Sequence, residues 1–289
     1  MTCKPLKSAV VVSGVSSGIG LAVARDLCAR GFHVFGTVRR EVDAARLHQE
    51  LAPNFTPLFL DITDQGAILA AAKTAHDALA GATLFGLVNN AGAGGGGPLM
   101  HQDPAELMSA FHNLAVGPVM MAQAFLPMLG ARRGFKGPPG RIVNITSVGG
   151  RIAFPFLGSY VAGKHALEAL SDCLRRELLL YGIDLIIVEP GATKTAIWQK
   201  AVAEENPRYT ETDYGPSYGA FIREFSEEGQ SGLDPARVAR IVHSALTVRR
   251  PRTRYAVVPK RLLNWSLPRL LPDRAVDIIF ARRLGLKRN

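Results

Sequence analysis

The sequence has little cysteine. Cys3, Cys28 and Cys173 are odd in number and far apart, so they supply neither a disulfide framework nor a metal-ligand spacing. That usage suits a reducing compartment, and no metal is expected. Nothing near the start resembles a signal peptide, because Lys4 and Lys7 lead straight into the short run "SAVVVSG". An apolar run long enough to span a bilayer is also lacking. The expected location is therefore the cytoplasm. Charged residues make up only 20% against 47% hydrophobic, which excludes a disordered chain and supplies a sizeable core. The net charge of +10 is local. Residues 1–248 carry 22 basic and 22 acidic side chains, and residues 249–289 carry 12 basic residues against Asp273 and Asp277 alone. The basic character belongs to the tail, and no nucleic-acid-reading motif accompanies it.

What is present is an alternation. Apolar, β-branched runs at 8–13, 32–38, 56–61, 84–92, 141–147, 183–191 and 253–259 are separated by helical patterns. Those patterns end near Gly31 and lie near 42–52, 64–80, 103–129, 157–181 and 234–247. Strands apolar throughout and alternating with helices predict an α/β fold: a doubly wound, parallel, Rossmann-like sheet of about seven strands, with helices on both faces. Ligands then lie at the carboxyl ends of the strands. Residues 1–259 read as one domain. Its glycine tract at 92–97 reads as a mobile loop, and its polar, aromatic-dotted insertion at 192–233 as a substrate lid rather than a plain surface excursion. Residues 260–289 form a basic, apolar extension.

The stretch "SGVSSGIG" at 13–20 fits two chemistries. Gly14, Ser16 and Gly18 match the serine-hydrolase elbow, but no histidine of this chain sits in a motif at a strand end to complete a triad. A phosphate cradle uses more of the stretch. Gly14 permits a tight turn, Gly18 lets backbone approach a pyrophosphate, and Gly20 lets a helix pack on the sheet, with the helix N-terminus facing the phosphates. The spacing is not the commoner G-x-G-x-x-G, so the turn gains weight only from its company. Tyr160 and Lys164 lie four residues apart, on one helix face, in "SYVAGKHAL". Ser147 ends the strand "RIVNITS", "NNAG" occupies 89–92 and "PGATKT" occupies 190–195.

Together these motifs resemble the short-chain dehydrogenase/reductase family, in its compact single-domain branch, over roughly residues 7–258. The resemblance implies that Gly14, Ser16, Ser17, Gly18, Ile19 and Gly20 hold a dinucleotide. Asp61 and Ile62 would meet the adenine, and Asn90, Ala91 and Gly92 would line the adenosine side. Pro190, Gly191, Thr193 and Thr195 would hold the nicotinamide end. Asn113, in "FHNLAVG", matches the family's helix-bending asparagine, which supports a water relay. Ser13 stands where the family usually has threonine. Members usually pair through two long central helices, so a homodimer or homotetramer is expected.

The chemistry follows from the side chains. A hydride transfer at an alcohol carbon needs a proton to leave or join the oxygen. Tyrosine is a poor base near neutrality, and a neighbouring ammonium favours its phenolate. Tyr160 is the expected acid/base, Lys164 its charge partner and a ribose ligand, Ser147 the orienting donor and Asn113 the link to water. After the second strand Val38 fills the position where an acid would select NAD, and Arg39 and Arg40 follow. NADP(H) is expected to be preferred, with Arg39 ahead of Arg40 and NAD(H) still accepted. Phe154, Pro155, Phe156 and Leu157 suggest an apolar wall for a bulky hydrophobic alcohol or ketone. The surrounding pattern looks most like the hydroxysteroid and retinol dehydrogenase branch.

Two other functions compete. A nucleotide-sensing regulator on the same fold would commonly lack the tyrosine or lysine, and a sugar-nucleotide epimerase would need a larger second domain. The tail interleaves Arg and Lys with Leu, Ile, Trp and Phe, as membrane-surface segments do. Pro268 and Pro272 favour instead a helix that closes the cleft or packs at a subunit interface.

Overall fold

The computed structural model describes residues 8–92, 94–195, 207–259, 261 and 265–286. Seven parallel strands form one sheet in the order β3-β2-β1-β4-β5-β6-β7. They are β1 Ala9–Val12, β2 His33–Val38, β3 Phe55–Phe59, β4 Gly86–Asn89, β5 Arg141–Ile145, β6 Asp184–Pro190 and β7 Arg254–Val257. Because successive strand side chains point to opposite faces, β1 feeds two cores. Val10 and Val12 pack with Val23, Leu27, Leu47, Val238 and Val242 on one face. Ala9 and Val11 pack with Ile68, Leu87, Met121 and Phe125 on the other.

The helices of the first face are α1 Gly18–Ala29 and α2 Glu41–Leu51, joined by a later one, Pro235–Thr247, described below. On the other face lie α3 Gln65–Leu79, α4 Pro104–Phe111, α5 Gly117–Leu129 and α6 Gly158–Glu177. The sheet order reverses between β1 and β4, and the crevice at their carboxyl ends is where a doubly wound sheet takes its ligand.

Three regions differ from the reading of the sequence. The helix expected over 103–129 is two helices, α4 and α5, joined by a π-turn at His112–Val116. Such wide turns are frequent at functional sites. The insertion at 192–233 contains, in its described part, the turn α7 Pro207–Thr210 and a full helix, α8 Gly215–Gln230. Residues 196–206 of it, with Trp198, lie outside the described residues. The glycine tract is packed against other elements: Gly97 pairs with Leu157, and its backbone N–H donates to the Phe156 carbonyl at 2.7 Å.

The chain then continues through α9 Pro235–Thr247 and β7 to α10 Asp273–Leu284. Pro272 stands at the N-cap of α10, so it starts the helix instead of breaking one. Phe280 and Leu284 of α10 join Phe156, Tyr209, Tyr218 and Phe221 in one apolar cluster. Phe280 meets Phe154 edge-on at 5.9 Å, and Arg283 pairs with Glu224 and Glu228 of α8. The extension is thus strapped onto the insertion. Among the described residues no helix is long and apolar enough to cross a membrane.

Candidate active site

The glycine turn runs from β1 into α1. Gly14 (φ 71°) and Gly18 (φ 59°) both take left-handed backbone, which side chains rarely adopt. A Cβ on Gly20 would overlap the Gly14 carbonyl oxygen, so α1 sits against the turn only because that residue is glycine. Ser17 at the N-cap makes no side-chain cap bond, and the first turn of α1 holds no acid. The positive end of that helix and its free N–H groups therefore face the crevice, as an anionic diphosphate requires. Ser16 presents its backbone: its carbonyl accepts from Arg46 at 2.8 Å. Arg46 was not singled out in the sequence, and its position on α2 gives no local sign that it reaches the turn.

The next strand end is tied to this turn. The Ser13 hydroxyl accepts from the backbone N–H groups of Asn90 and Ala91, both at 2.9 Å. Asn90 Nδ2 donates to the carbonyls of Ser13 and Gly14. Gly92 (φ 152°) lies beside the π-turn, within 3.8 Å of the Asn113 carbonyl for an added Cβ. Past β6, the Thr193 hydroxyl donates to the Gly191 carbonyl at 2.9 Å. The Thr195 side chain would lie 3.2 Å from a Cβ on Gly18. Residues from three strand ends, far apart in sequence, thus meet at the glycine turn, where free backbone N–H groups can take a dinucleotide's phosphates.

Beyond β2 the two arginines have different duties. Val38 is buried, and Arg39 reaches across the surface to Asp61 at 3.4 Å. Arg40 begins α2 and donates through Nε to Asp43 at 2.8 Å. Asp61 also accepts from the Thr63 N–H and hydroxyl; these bonds, more than Arg39, hold its carboxyl below the usual carboxylate range. Ile62 is buried beneath α5, its carbonyl close to Gly117.

The proton-handling groups meet at the end of β5. Tyr160, in the first turn of α6, is flanked by two glycines: added Cβ atoms would lie 3.1 Å from its ring at Gly94 and 3.2 Å at Gly149. The tract read as a mobile loop therefore forms one wall of the tyrosine slot. Burial pushes the Tyr160 phenol up, and the Ser147 hydroxyl hydrogen-bonded to it pulls back. The Ser147 Oγ also accepts from the Gly149 N–H at 3.1 Å, which fixes its direction. Lys164 is 5% exposed and its Nζ donates to the Ile145 carbonyl at 3.0 Å. Desolvation brings it down to about 8, against the pull of Glu168 one turn on. Asn113 lies in the π-turn packed on α6, and its side chain makes no hydrogen bond among the described residues.

This arrangement can hold a dinucleotide's phosphates and present a hydroxyl pair, Ser147 and Tyr160, to an oxygen that gains or loses a proton. The short chain dehydrogenase profile matches residues 8–206. The chain is 38% identical to the NADPH-dependent 3-dehydrocapnine reductase of Ornithobacterium rhinotracheale, over 95% of this chain and 96% of that one. It is 34% identical to human retinol dehydrogenase 5, over 93% of this chain and 86% of the other. A solved short-chain dehydrogenase from Streptomyces avermitilis superposes with a TM-score of 0.74 at 28% identity, covering 96% of this chain and 95% of that one. The turn, the Ser147–Tyr160–Lys164 cluster and these likenesses lead to one conclusion: the chain belongs to the short-chain dehydrogenase family and is a nicotinamide-dependent oxidoreductase.

Proposed function

We propose that this protein reduces a bulky, hydrophobic ketone to its secondary alcohol with NADPH, and runs the reverse oxidation with NADP. The observation that carries the reading is the aromatic cluster built around Phe156, in the segment that leads into α6 and Tyr160. Phe156, four residues ahead of it, is buried at a φ of 63° and meets the rings of Tyr214, Tyr218 and Phe221 at 6.1, 5.7 and 5.6 Å. Phe154 extends the cluster to α10. Phe154, Tyr214 and Ile222 stay partly exposed at the edge of the buried rings, and apolar side chains with few polar partners suit a ring system or long chain and leave a sugar's hydroxyls unsatisfied.

A bound nicotinamide supplies or takes the hydride. Tyr160 then gives its proton to the carbonyl oxygen, and Ser147 orients that oxygen and donates to the charge developing on it. Burial favours the neutral phenol, the form that donates a proton in reduction. The test is a panel of steroid, retinoid and aromatic ketones with phenanthrenequinone and 3-dehydrocapnine included, followed by NADPH absorbance. Turnover confined to small polar carbonyls would sink the reading.

The strap formed by α10 gives a second expectation. A chain ended at Pro259 loses Phe280 and Leu284 from the apolar cluster and both Arg283 ion pairs. Its KM for the best ketone should rise several-fold while its NADPH dissociation constant, measured by fluorescence, stays unchanged. Equal weakening of both would mean that the extension supports the whole fold rather than the substrate side.

A further inference from the structure

Behind Lys164 lies a cluster of buried charge that the hydride chemistry does not explain. Glu168 sits one turn along α6 and is 2% exposed. Its Oε1 accepts from the Thr146 hydroxyl at 2.6 Å, and its Oε2 accepts from Arg254 Nε at 3.1 Å. Glu189, 1% exposed at the end of β6, stands 3.6 Å from the same Arg254, and its Oε1 makes no hydrogen bond among the described residues. Asp172 lies at the rim, 2.8 Å from Arg254, and has its own partner in Arg175 at 3.0 Å. Two buried carboxylates thus depend on one shared guanidinium. Buried ions are costly unless their charge is matched, and among the described residues Lys164 is the one fully buried cation.

We propose that Glu168 is a positioning residue for the proton relay: its carboxylate, fixed by Thr146 and Arg254 one helical turn from Lys164, supplies a buried negative charge that favours the ammonium form of Lys164 behind Tyr160. The proposal rests on the Tyr160–Lys164 reading above and adds a member to it. The other charged groups are accounted for. Arg151 and Arg269 act on Glu189, the residue that follows β5 is the neutral Thr146, and Glu106 of α4, the helix packed on α6, is paired with Arg208. The π-turn packed against α6 has His112 as its one titratable side chain. Glu189 is pushed up to about 7 by burial and by Glu168, so it tempers the cluster's charge and does not duplicate the role of Glu168.

The sign of the effect is fixed by electrostatics. Removing a negative charge near an ammonium and a phenol lowers the proton affinity of both, and the alkaline limb of ketone reduction belongs to that coupled pair. The experiment is the pH profile of kcat/KM for the full chain with NADPH and phenanthrenequinone. Glu168→Gln, which keeps shape and loses charge, should move the descending limb down by about one pH unit. With a wild-type limb near the Lys164 value of about 8, activity then falls about fivefold near pH 8, about tenfold in the alkaline range above it, and stays close to wild type near pH 6. Glu168→Asp, which keeps the charge, should leave the limb where it was. A loss uniform across pH, or Asp and Gln variants that behave alike, would reduce Glu168 to a packing role and overturn the proposal. Should Glu168→Gln fail to fold, Thr146→Val replaces it: it removes the hydroxyl that donates to the Glu168 carboxylate, so a smaller downward shift of the limb is expected, and an unmoved limb overturns the proposal. The two readings fail separately. An active Tyr160→Phe variant defeats the relay itself, whereas an inert one combined with an unmoved Gln limb defeats only the part given to Glu168.

Discussion

Tyr160→Phe should bind NADPH as the wild type does and lose at least nine-tenths of its turnover, with a loss of about 10²–10⁴-fold in kcat if the phenol supplies the whole acid/base contribution. Only the hydroxyl is removed. The ring remains between Gly94 and Gly149, where the packing already fits an aromatic side chain, so the fold and the crevice have no reason to change. What disappears is the one donor that is held protonated by burial and aimed by Ser147. The readouts are single-turnover NADPH oxidation and a fluorescence titration with NADPH. A variant with weakened nucleotide binding and a proportionate kcat would mean that Tyr160 holds the cofactor and transfers no proton.

Arg39→Leu should lower kcat/KM with NADPH by about ten- to a hundredfold and leave the value with NADH nearly unchanged. A guanidinium meets a phosphate through charge-assisted bonds, each contributing about 1.5–3 kcal/mol, and 1.4 kcal/mol is tenfold. The structure favours Arg39 over Arg40 for this. Both guanidinium groups are exposed, but Arg40 is engaged with Asp43 at 2.8 Å, whereas the contact of Arg39 with Asp61 is longer, at 3.4 Å. Exposed pairs of that kind are weak, so a phosphate displaces Asp61 at little cost. Val38→Asp would add the acid that selects NAD, but Val38 is only 3% exposed, and a carboxylate there is desolvated. The single arginine substitution is therefore the cleaner measurement. Steady-state kinetics with both cofactors decide it, and an unchanged ratio would make Arg39 a solvated loop residue. Arg46, which touches Ser16, would then be the next arginine to replace.

The parts of this protein legible in its sequence are those carried by contiguous residues. Seven apolar runs became seven strands because a buried strand needs only a few consecutive β-branched residues to declare itself. The glycine turn, "NNAG" and the Tyr160–Lys164 spacing each lie within one element or one loop. Even α8 was legible in principle. Tyr214, Tyr218, Phe221 and Phe225 recur at helical intervals, but the flanking glycines and Pro216 masked the period.

The rest was decided by contacts that no local pattern encodes. Glu168 and Arg254 are 86 residues apart, and their ion pair exists only because β5, β6 and β7 lie side by side in the sheet. The glycine tract could be read only as a loop until Tyr160 packed against Gly94 and Tyr209 against Gly97. The tail read as a helix over the cleft or at an interface, and only the fold shows its partners: Leu284 is buried and Phe280 packs against the insertion, with Arg283 turned toward Glu224 and Glu228. Sequence alone determined which elements form and which residues can do chemistry, because propensity, periodicity and turn chemistry act over a few residues. Tertiary structure decided which side chains share a dielectric environment and which partners they have there, because burial and charge pairing depend on the neighbours that the whole fold brings together.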